Sequence, residues 1–271
     1  MTSDARREDG TPRTALVTGA TGGIGLELAR LLAADGLHLI LVGRRRDRLD
    51  QIAAELGKAH GIGVRIDSRD LSEYGTASRL WSDLASTGAK VDVLVNNAGV
   101  GLYGAVAKQD PGALDRMVQL NVAALTTLTR LALPGMLERR WGRILNLASV
   151  VGYQPGAPYM AAYYATKAYV LSFSKGLALE LRGSGVSVTV LAPGPTETEF
   201  DDRAQAGNDT LFKRLPKHSA AAVARAGYAG MRRGSMVVIP GLMTKVLSFA
   251  GELPPRRIAL EANRLLWKSR R

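Results

Sequence analysis

Short apolar runs alternate along this chain with longer segments in which apolar positions recur every three or four residues. Several of the short runs lack the polar alternation of a half-exposed strand, as expected for strands that are buried on both faces of a sheet. We predict strands at residues 14–18, 38–42, 63–66, 91–96, 143–148, 186–191 and 236–240. We predict amphipathic helices at residues 24–34, 46–60, 72–86, 111–139, 161–182 and 220–232.

The regular alternation of strand and helix predicts an α/β fold: a single doubly wound (Rossmann-type) domain with a seven-stranded parallel sheet flanked by helices on both faces. Residues 1–13 mix charge with Gly and Pro and are expected to be a disordered lead-in. Residues 14–241 form the predicted catalytic domain, and the polar stretch at about 196–218 is expected to act as a mobile substrate lid. Residues 242–271 form a basic amphipathic extension.

Composition limits the classes of protein that the chain can be. At 271 residues and 46% hydrophobic content, it is long enough to bury a large core. It has no cysteine, which excludes disulfides and thiolate chemistry and fits a reducing compartment. No stretch reaches the roughly 20 uninterrupted apolar residues of a membrane span. We therefore expect a soluble, cytoplasmic protein, and we predict no metal site.

The net charge of +12 is spread along the chain, except in the last sixteen residues. There six basic residues face a single acid, Glu261, and apolar residues alternate with them as on an amphipathic helix. The pattern favours a surface helix that packs on the domain or on a sister subunit, and it leaves a peripheral membrane contact open. No nucleic-acid partner is expected, because the remaining basic residues form no patch with interleaved aromatics. The basic residues of this tail are Arg256, Arg257, Arg264, Lys268, Arg270 and Arg271.

A glycine-rich loop follows the first predicted strand and opens the first helix. Glycines let a backbone approach a pyrophosphate closely, and a helix N-terminus offers unpaired amides and the positive end of a dipole. The spacing of its glycines differs from that of the usual Gly-x-Gly-x-x-Gly fingerprint. We predict that this loop binds the phosphates of a dinucleotide through Gly19, Thr21, Gly22, Gly23, Ile24 and Gly25.

The end of the second strand bears on which dinucleotide binds. An NAD site usually places an acid here for the ribose 2′-hydroxyl, whereas a 2′-phosphate favours arginine. Gly43 occupies the position expected for the acid, and Arg44 and Arg45 follow it. This favours NADP over NAD, although Asp47 could still reach a ribose.

Tyr163 and Lys167 lie four residues apart in a helix-patterned segment, so they share one helix face. A cation beside a phenol stabilises the phenolate and lowers a pKa that is ordinarily about 10. Such a tyrosine can transfer a proton near neutral pH. Tyr164 lies only three residues from Lys167, so we favour Tyr163 for this role.

These residues resemble the short-chain dehydrogenase/reductase family over about residues 14–198, with six motifs in the family's order. The glycine-rich loop is similar to the family's Thr-Gly-x-x-x-Gly-x-Gly motif. Asp70 and Leu71 resemble the pair that flanks the adenine, and Asn96-Asn97-Ala98-Gly99 is the family's Asn-Asn-Ala-Gly signature. The resemblance assigns a catalytic tetrad to Asn121, Ser149, Tyr163 and Lys167. It also assigns nicotinamide contacts to the segment containing Pro193, Gly194, Thr196 and Thr198.

What the resemblance implies is hydride transfer between NADP(H) and a carbonyl or alcohol group. Tyr163 would supply the proton and Ser149 a second hydrogen bond to the same oxygen. Lys167 would also hold the nicotinamide ribose, and Asn121 would mark a local helix distortion and position a relay water. An NADPH preference implies reduction, and apolar residues near the site imply a hydrophobic substrate. The family commonly forms homodimers or homotetramers through the helices predicted at 111–139 and 161–182.

Two other functions share some of these features. A nucleotide-binding regulatory or scaffold protein on the same fold would keep the loop and perform no chemistry, but it would typically lack the tyrosine or the lysine. Sugar-nucleotide epimerases share the tyrosine–lysine pair, but we expect a different glycine spacing and a larger C-terminal domain there.

Overall fold

The computed structural model describes residues 5–197, 217–252 and 256–266. Its main sheet contains seven parallel strands in the order β3-β2-β1-β4-β5-β6-β9, and a separate two-residue pairing joins β7 to β8. The predicted fold class is confirmed, and each predicted strand is present within three residues of its expected bounds. The strands are β1 Thr14–Thr18, β2 His38–Gly43, β3 Val64–Ser68, β4 Val93–Asn96, β5 Gly142–Leu147, β6 Val186–Leu191, β7 Thr196–Glu197, β8 His218–Ser219 and β9 Val237–Val238.

The helices follow the strands in the predicted alternation. The α-helices are α1 Gly23–Ala34, α2 Arg46–His60, α3 Thr76–Ser86, α4 Pro111–Val118, α5 Leu125–Glu138, α6 Ala161–Glu180, α7 Ala220–Arg232, α8 Leu242–Glu252 and α9 Arg256–Leu266. Short 3₁₀ turns lie at Val106–Lys108 and Val150–Tyr153.

The core lies in two layers, one on each face of the sheet, because successive strand residues point to opposite faces. On β1, Val17 belongs to the layer that contains residues of α1, α2 and α7. Its neighbour Leu16 belongs to the layer that contains residues of α3, α5 and α6. Both side chains are fully buried. The carboxyl ends of the strands are left at one edge, where open α/β sheets bind ligands.

The helix predicted at 111–139 is interrupted in its middle. A π-helical turn, Gln119–Ala124, separates α4 from α5 and contains Asn121. Such turns occur often at functional sites. Pro134 lies inside α5. Within the described part of the chain, Pro111–Glu138 is also the one helical stretch whose length and composition would suit a membrane span, a test that core helices pass too.

The disordered lead-in predicted at 1–13 is wrong for the described residues 5–13. Ala5 is buried, and the amide of Arg13 donates to the Ala5 carbonyl across a turn. Arg7 pairs with the buried carboxylate of Asp92 at 2.6 Å. Asp92 also accepts from the backbone amide of Thr14 at 2.9 Å and lies 3.4 Å from Arg139. A long-range ion pair therefore orders a segment that looks polar and irregular in sequence.

Candidate active site

The sheet order places β1 next to β4, and the loops after these two strands open on either side of the point where the strand order reverses. This is the position where doubly wound sheets bind nucleotides. The glycine-rich loop follows β1, with Gly19 at φ 67° and Gly23 at φ 55°. Positive φ is strained for other residues, so these two glycines are required by the shape of the loop.

Asn97 ties the glycine-rich loop to β4. Its Nδ2 donates to the carbonyl of Thr18 at 3.0 Å and to that of Gly19 at 3.2 Å. In return, the hydroxyl of Thr18 accepts from the amides of Asn97 and Ala98, both at 3.0 Å. The Asn-Asn-Ala-Gly motif therefore acts first as a brace that fixes the loop.

Gly25 leaves no room for a side chain at this junction. A Cβ there would lie 2.3 Å from Asn97 Nδ2 and 2.5 Å from the carbonyl oxygen of Gly19. The N-cap residue of α1 is Gly22, which has no side chain to cap the helix, and the first turn carries no acid. The first turn of α1, which includes the buried Ile24, thus offers backbone N–H groups and a positive dipole end to an anion.

The end of β2 lies beside this loop. A Cβ on Gly43 would lie 3.0 Å from the Thr21 methyl group, so the Gly43 backbone lies directly against the Thr21 side chain. Arg45 donates from Nη2 to the Thr21 carbonyl at 3.2 Å. Arg44 lies 3.6 Å from Asp70 and keeps 60% of its side-chain surface exposed. The two arginines therefore lie beside the glycine-rich loop, and the exposed Arg44 side chain is accessible to an anionic group.

Asp70 and Leu71, predicted to flank an adenine, follow β3. Burial acts to raise the pKa of Asp70, but hydrogen bonds from Ser72 and the nearby Arg44 charge outweigh it and hold the pKa below its ordinary value. Leu71 is buried in the core. Asp70 is thus an ionised group whose contacts to Ser72 and Arg44 shape this end of the site.

Tyr163 and Lys167 lie on the inner face of α6, and both are almost fully buried, at 7% and 4% exposure. Lys167 Nζ lies 5.8 Å from the centre of the Tyr163 ring and donates to the Leu147 carbonyl, the last residue of β5, at 3.0 Å. Burial lowers the pKa of Lys167 from 10.5 to about 8. The predicted face-sharing of the pair is confirmed.

Asn121 links three parts of the site from its π-helical turn. Its Oδ1 accepts from the Val100 amide at 3.0 Å, while Nδ2 donates to the Val100 carbonyl at 2.8 Å and to the Thr166 hydroxyl at 3.1 Å. A Cβ on Gly99 would lie 3.2 Å from Asn121 Oδ1 and 3.4 Å from Lys167 Nζ. The predicted helix distortion is present, and it places an amide beside the lysine.

Ser149 follows β5 by two residues and caps the 3₁₀ turn Val150–Tyr153, accepting from the Val151 amide at 3.4 Å. Val150 and Val151 pack in one apolar cluster with Tyr163. Ser149 is therefore brought to the same edge of the sheet as the tyrosine–lysine pair.

The segment after β6 closes this edge. The Pro193 carbonyl accepts from the Val150 amide at 2.9 Å, and the Thr196 hydroxyl donates to the Gly194 carbonyl at 2.9 Å. Thr198 and most of the predicted lid at 196–218 lie outside the described residues.

Sequence reasoning missed a buried polar network beneath the site. Asn96 Nδ2 donates to Thr129 at 3.0 Å and to Asn146 Oδ1 at 2.9 Å, and Asn146 Nδ2 donates to Ser174 at 3.0 Å. All four residues are buried. They join β4, β5, α5 and α6 under the residues described above. The Asn-Asn pair of the motif was the one available signal, but nothing local identified the partners of Asn96.

The contribution of α8 was also missed. A Cβ on Gly194 would lie 2.7 Å from the Thr244 hydroxyl, and the Gln154 amide donates to the Leu247 carbonyl at 2.7 Å. From α9, Asn263 Nδ2 donates to the Gly156 carbonyl at 2.8 Å. The C-terminal extension thus packs over the two loops that follow β5 and β6, and on α9 the buried contact is made by the polar Asn263 rather than by the apolar side expected from the sequence.

The chain is similar to known proteins. A family model described as short chain dehydrogenase matches residues 13–209. Serine 3-dehydrogenase from Agrobacterium fabrum is 38% identical over 225 residues, which cover 79% of this chain and 86% of that protein.

Two solved structures superpose well. A short-chain dehydrogenase from Sphingobium yanoikuyae in complex with NADPH gives a TM-score of 0.79 at 34% identity, covering 88% of this chain and 93% of that one. The bulky-bulky ketone specific alcohol dehydrogenase from Comamonas testosteroni gives 0.74 at 31%, covering 88% and 91%. The family model spans most of the sheet, and the site residues that it covers are in place: the Asn97 brace, the tyrosine–lysine pair and Asn121 in its π-helical turn. The chain therefore belongs to the short-chain dehydrogenase family of oxidoreductases.

Proposed function

We propose that the protein is an NADP(H)-dependent oxidoreductase that reduces a carbonyl group of a small hydrophobic molecule to an alcohol. The observation that carries the proposal is the position of Lys167. Its ammonium is buried beside the Tyr163 ring, is fixed by the Leu147 carbonyl, and lies close to Asn121 and Gly99. Burial disfavours the charged form of this lysine and so lowers the stability of the fold. This cost favours a role in proton transfer over a purely structural role.

The proposed chemistry at the substrate oxygen belongs to Tyr163 and Ser149. A carbonyl that gains hydride develops negative charge on oxygen, and this charge needs a proton and prearranged hydrogen-bond donors. The Tyr163 phenol donates the proton, and the Ser149 hydroxyl donates a hydrogen bond to the same oxygen. The packing of Tyr163 against Val150 and Val151 supports this pairing.

Lys167 and Asn121 act behind Tyr163. The Lys167 ammonium stabilises the phenolate that remains after the proton leaves, since the attraction between opposite charges is strong in a buried site. Asn121 holds the Val100 backbone and the Thr166 hydroxyl, and so fixes the distance between α6 and the loop after β4. We assign it the positioning of a water that returns the proton to the site.

A bound nicotinamide supplies the hydride. The residues of the chain fit such a cofactor, since the glycine cradle would be blocked by a Cβ at Gly25 and the first turn of α1 presents unpaired amides. We assign phosphate binding to the loop from Gly19 to Gly25, and a 2′-phosphate to Arg44 with Arg45. The Sphingobium relative was solved in complex with NADPH, which supports this preference.

The substrate is proposed to be hydrophobic. The cluster around Tyr163 includes Val151, Met160 and Tyr164, with Leu247 of α8 packed against it. The Comamonas relative, specific for bulky ketones, supports this class. The Agrobacterium relative is a dehydrogenase of the polar substrate serine, so family membership alone does not select the substrate.

We also propose a cytoplasmic homodimer or homotetramer assembled through α4–α5 and α6. Apolar side chains on these helices are exposed, including Val118 at 45%, Leu137 at 40% and Leu179 at 49%. Burial of such residues against a second copy would stabilise the assembly.

The test is a panel of bulky ketones, 3-oxoacyl esters and steroids, in which oxidation of NADPH and of NADH is followed. Tyr163→Phe should keep NADPH binding and lose turnover. Tyr169→Phe is the matched control on the same helix, because Tyr169 is exposed and its hydroxyl hydrogen-bonds to the Thr126 hydroxyl at 3.1 Å. Full turnover by Tyr163→Phe would contradict the proposal. NADPH binding without turnover of any ketone by the native protein would instead favour a regulatory role.

A further inference from the structure

Helix α8 is partly inverted in polarity relative to an ordinary surface helix: Leu247 packs inward, but its other large apolar side chains are exposed. Its apolar residues Leu242, Met243, Val246 and Phe249 are 79%, 64%, 56% and 67% exposed. They lie at helical spacing on one face. Thr244 and Ser248, on the opposite face, are each only 3% exposed.

The buried polar side of α8 is satisfied within the protein, which explains why the apolar side faces outward. The Ser248 hydroxyl donates to the Thr244 carbonyl at 2.9 Å. The Thr244 hydroxyl lies against Gly194, and the Leu247 carbonyl accepts from Gln154. These contacts hold the helix in one orientation on the loops that follow β5 and β6.

The neighbouring helix α9 repeats the inversion. Asn263 is 4% exposed and donates to the Gly156 carbonyl, whereas Ile258 is 69% exposed. Together, Leu242, Met243, Val246, Phe249 and Ile258 form an exposed apolar surface, which we name the C-terminal surface. Five exposed large apolar side chains on two contacting helices differ from the scattered single residues of an ordinary surface, and such groups mark interaction sites.

Two exposed basic residues lie beside the C-terminal surface. Lys245 is exposed one turn from both Leu242 and Phe249, and Arg257 is exposed next to Ile258. Residues 242–271 contain seven basic residues and two acidic ones, within a chain of net charge +12. Aromatic and aliphatic side chains flanked by Lys and Arg are the composition of helices that lie in the interface of an anionic bilayer.

We propose that the C-terminal surface docks on an anionic lipid bilayer, with Phe249, Val246 and their neighbours entering the headgroup region and the basic residues contacting lipid phosphates. Charge decides between a bilayer and a second copy of the chain. A two-fold contact would bring the same basic segment of two chains together, whereas an anionic membrane complements it. The proposal goes beyond the enzymatic function and does not depend on it.

The experiment uses the full-length protein and sedimentation with vesicles, and it needs no substrate. One set of vesicles is phosphatidylcholine alone, and in the other set part of it is replaced by phosphatidylglycerol. The native protein should sediment with the anionic vesicles, and added salt should release it. Val246→Ser/Phe249→Ser should weaken this partitioning at least about tenfold, because apolar burial is lost. Lys245→Ala/Arg257→Ala should weaken it about fivefold per residue, on anionic vesicles only.

Tyr74→Ser is the matched control, since Tyr74 is 90% exposed on another part of the domain and should leave vesicle binding unchanged. Failure of the native protein to sediment with anionic vesicles would overturn the proposal, as would native-like binding by the Val246→Ser/Phe249→Ser protein. Light scattering gives an independent check. A lower molar mass for that double variant than for the native protein would assign the C-terminal surface to a second copy instead.

Discussion

The hydroxyl of Thr166 accepts a hydrogen bond from Asn121 at 3.1 Å and donates one to the Tyr163 carbonyl at 2.7 Å. One side chain of α6 thus connects the π-helical turn to the backbone that carries the tyrosine. Thr166 lies directly before Lys167, so its position also influences where the ammonium lies.

Thr166→Val should lower both stability and turnover. Valine keeps the shape of threonine but offers Asn121 no acceptor, and one buried hydrogen-bond partner lost costs about 1–3 kcal/mol. Urea unfolding and steady-state reduction kinetics measure the two effects. Thr166→Ser retains the hydroxyl and should recover most of each. Equal behaviour of the Val and Ser proteins would show that packing, not the hydrogen bond, is what matters at this position.

The pH dependence of stability should carry the signature of Lys167. Burial lowers its pKa from 10.5 to about 8, so between these pH values the unfolded chain binds a proton that the folded chain has released. Stability from this group therefore increases as pH rises from about 8 to about 10.5, by about 3 kcal/mol in total. Urea unfolding across this window should show the rise in native protein and not in Lys167→Met. Lys245→Met, which changes an exposed lysine, should retain it.

Turnover should respond to the same proton in the opposite sense. Above about pH 8, Lys167 loses the charge that stabilises the Tyr163 phenolate, so kcat/KM for ketone reduction should fall. A profile that stays flat to pH 10 would mean that the charge of Lys167 does not assist the proton transfer.

Gly25→Ala should disrupt the cofactor loop. The added Cβ would lie 2.3 Å from Asn97 Nδ2 and 2.5 Å from the Gly19 carbonyl oxygen, so the brace between the loop and β4 must move. We expect at least about a tenfold loss of NADPH affinity, as for a lost charge-assisted contact. Fluorescence titration of NADPH measures it. Gly176→Ala is the control, because no described residue outside its own stretch of helix lies within 4 Å of its Cβ position, and helix propensity predicts a small gain in stability.

Arg44→Ala/Arg45→Ala should change the choice of cofactor. If the arginines hold a 2′-phosphate, KM for NADPH should rise about tenfold or more, while KM for NADH stays nearly constant. Arg48→Ala, which removes an exposed guanidinium bonded to Gln51 on the same helix, should alter neither constant. An equal rise for both cofactors would point to Asp47 or to the loop itself instead.

The sequence predicted the fold well where the information is local. The run at 39–42 is apolar along its whole length, so burial on both faces of the sheet can be predicted without knowledge of the partner strands. Likewise, Tyr163 and Lys167 are placed by helix spacing alone. The glycine-rich loop could be recognised from the sequence because positions with positive φ, such as Gly19 and Gly23, strongly favour glycine.

What escaped prediction depends on residues that are distant in sequence. Asn96 and Asn146 are 50 positions apart, and only the parallel pairing of β4 with β5 makes them neighbours. The orientation of α8 is set by Gly194 and Gln154, so its amphipathic pattern alone gave no indication that the polar side is the buried one.

The N-terminal turn determines where this protein can be shortened. A recombinant form that begins at Thr14 would keep every motif of the family, yet it would remove Arg7 from the buried carboxylate of Asp92. Among the described residues, Arg139 would then be the one side-chain cation left within 4 Å of that carboxylate. Affinity tags and protease sites therefore belong ahead of Ala5, and a loss of yield on trimming to Thr14 would reflect weaker compensation of the buried Asp92 charge rather than a damaged active site.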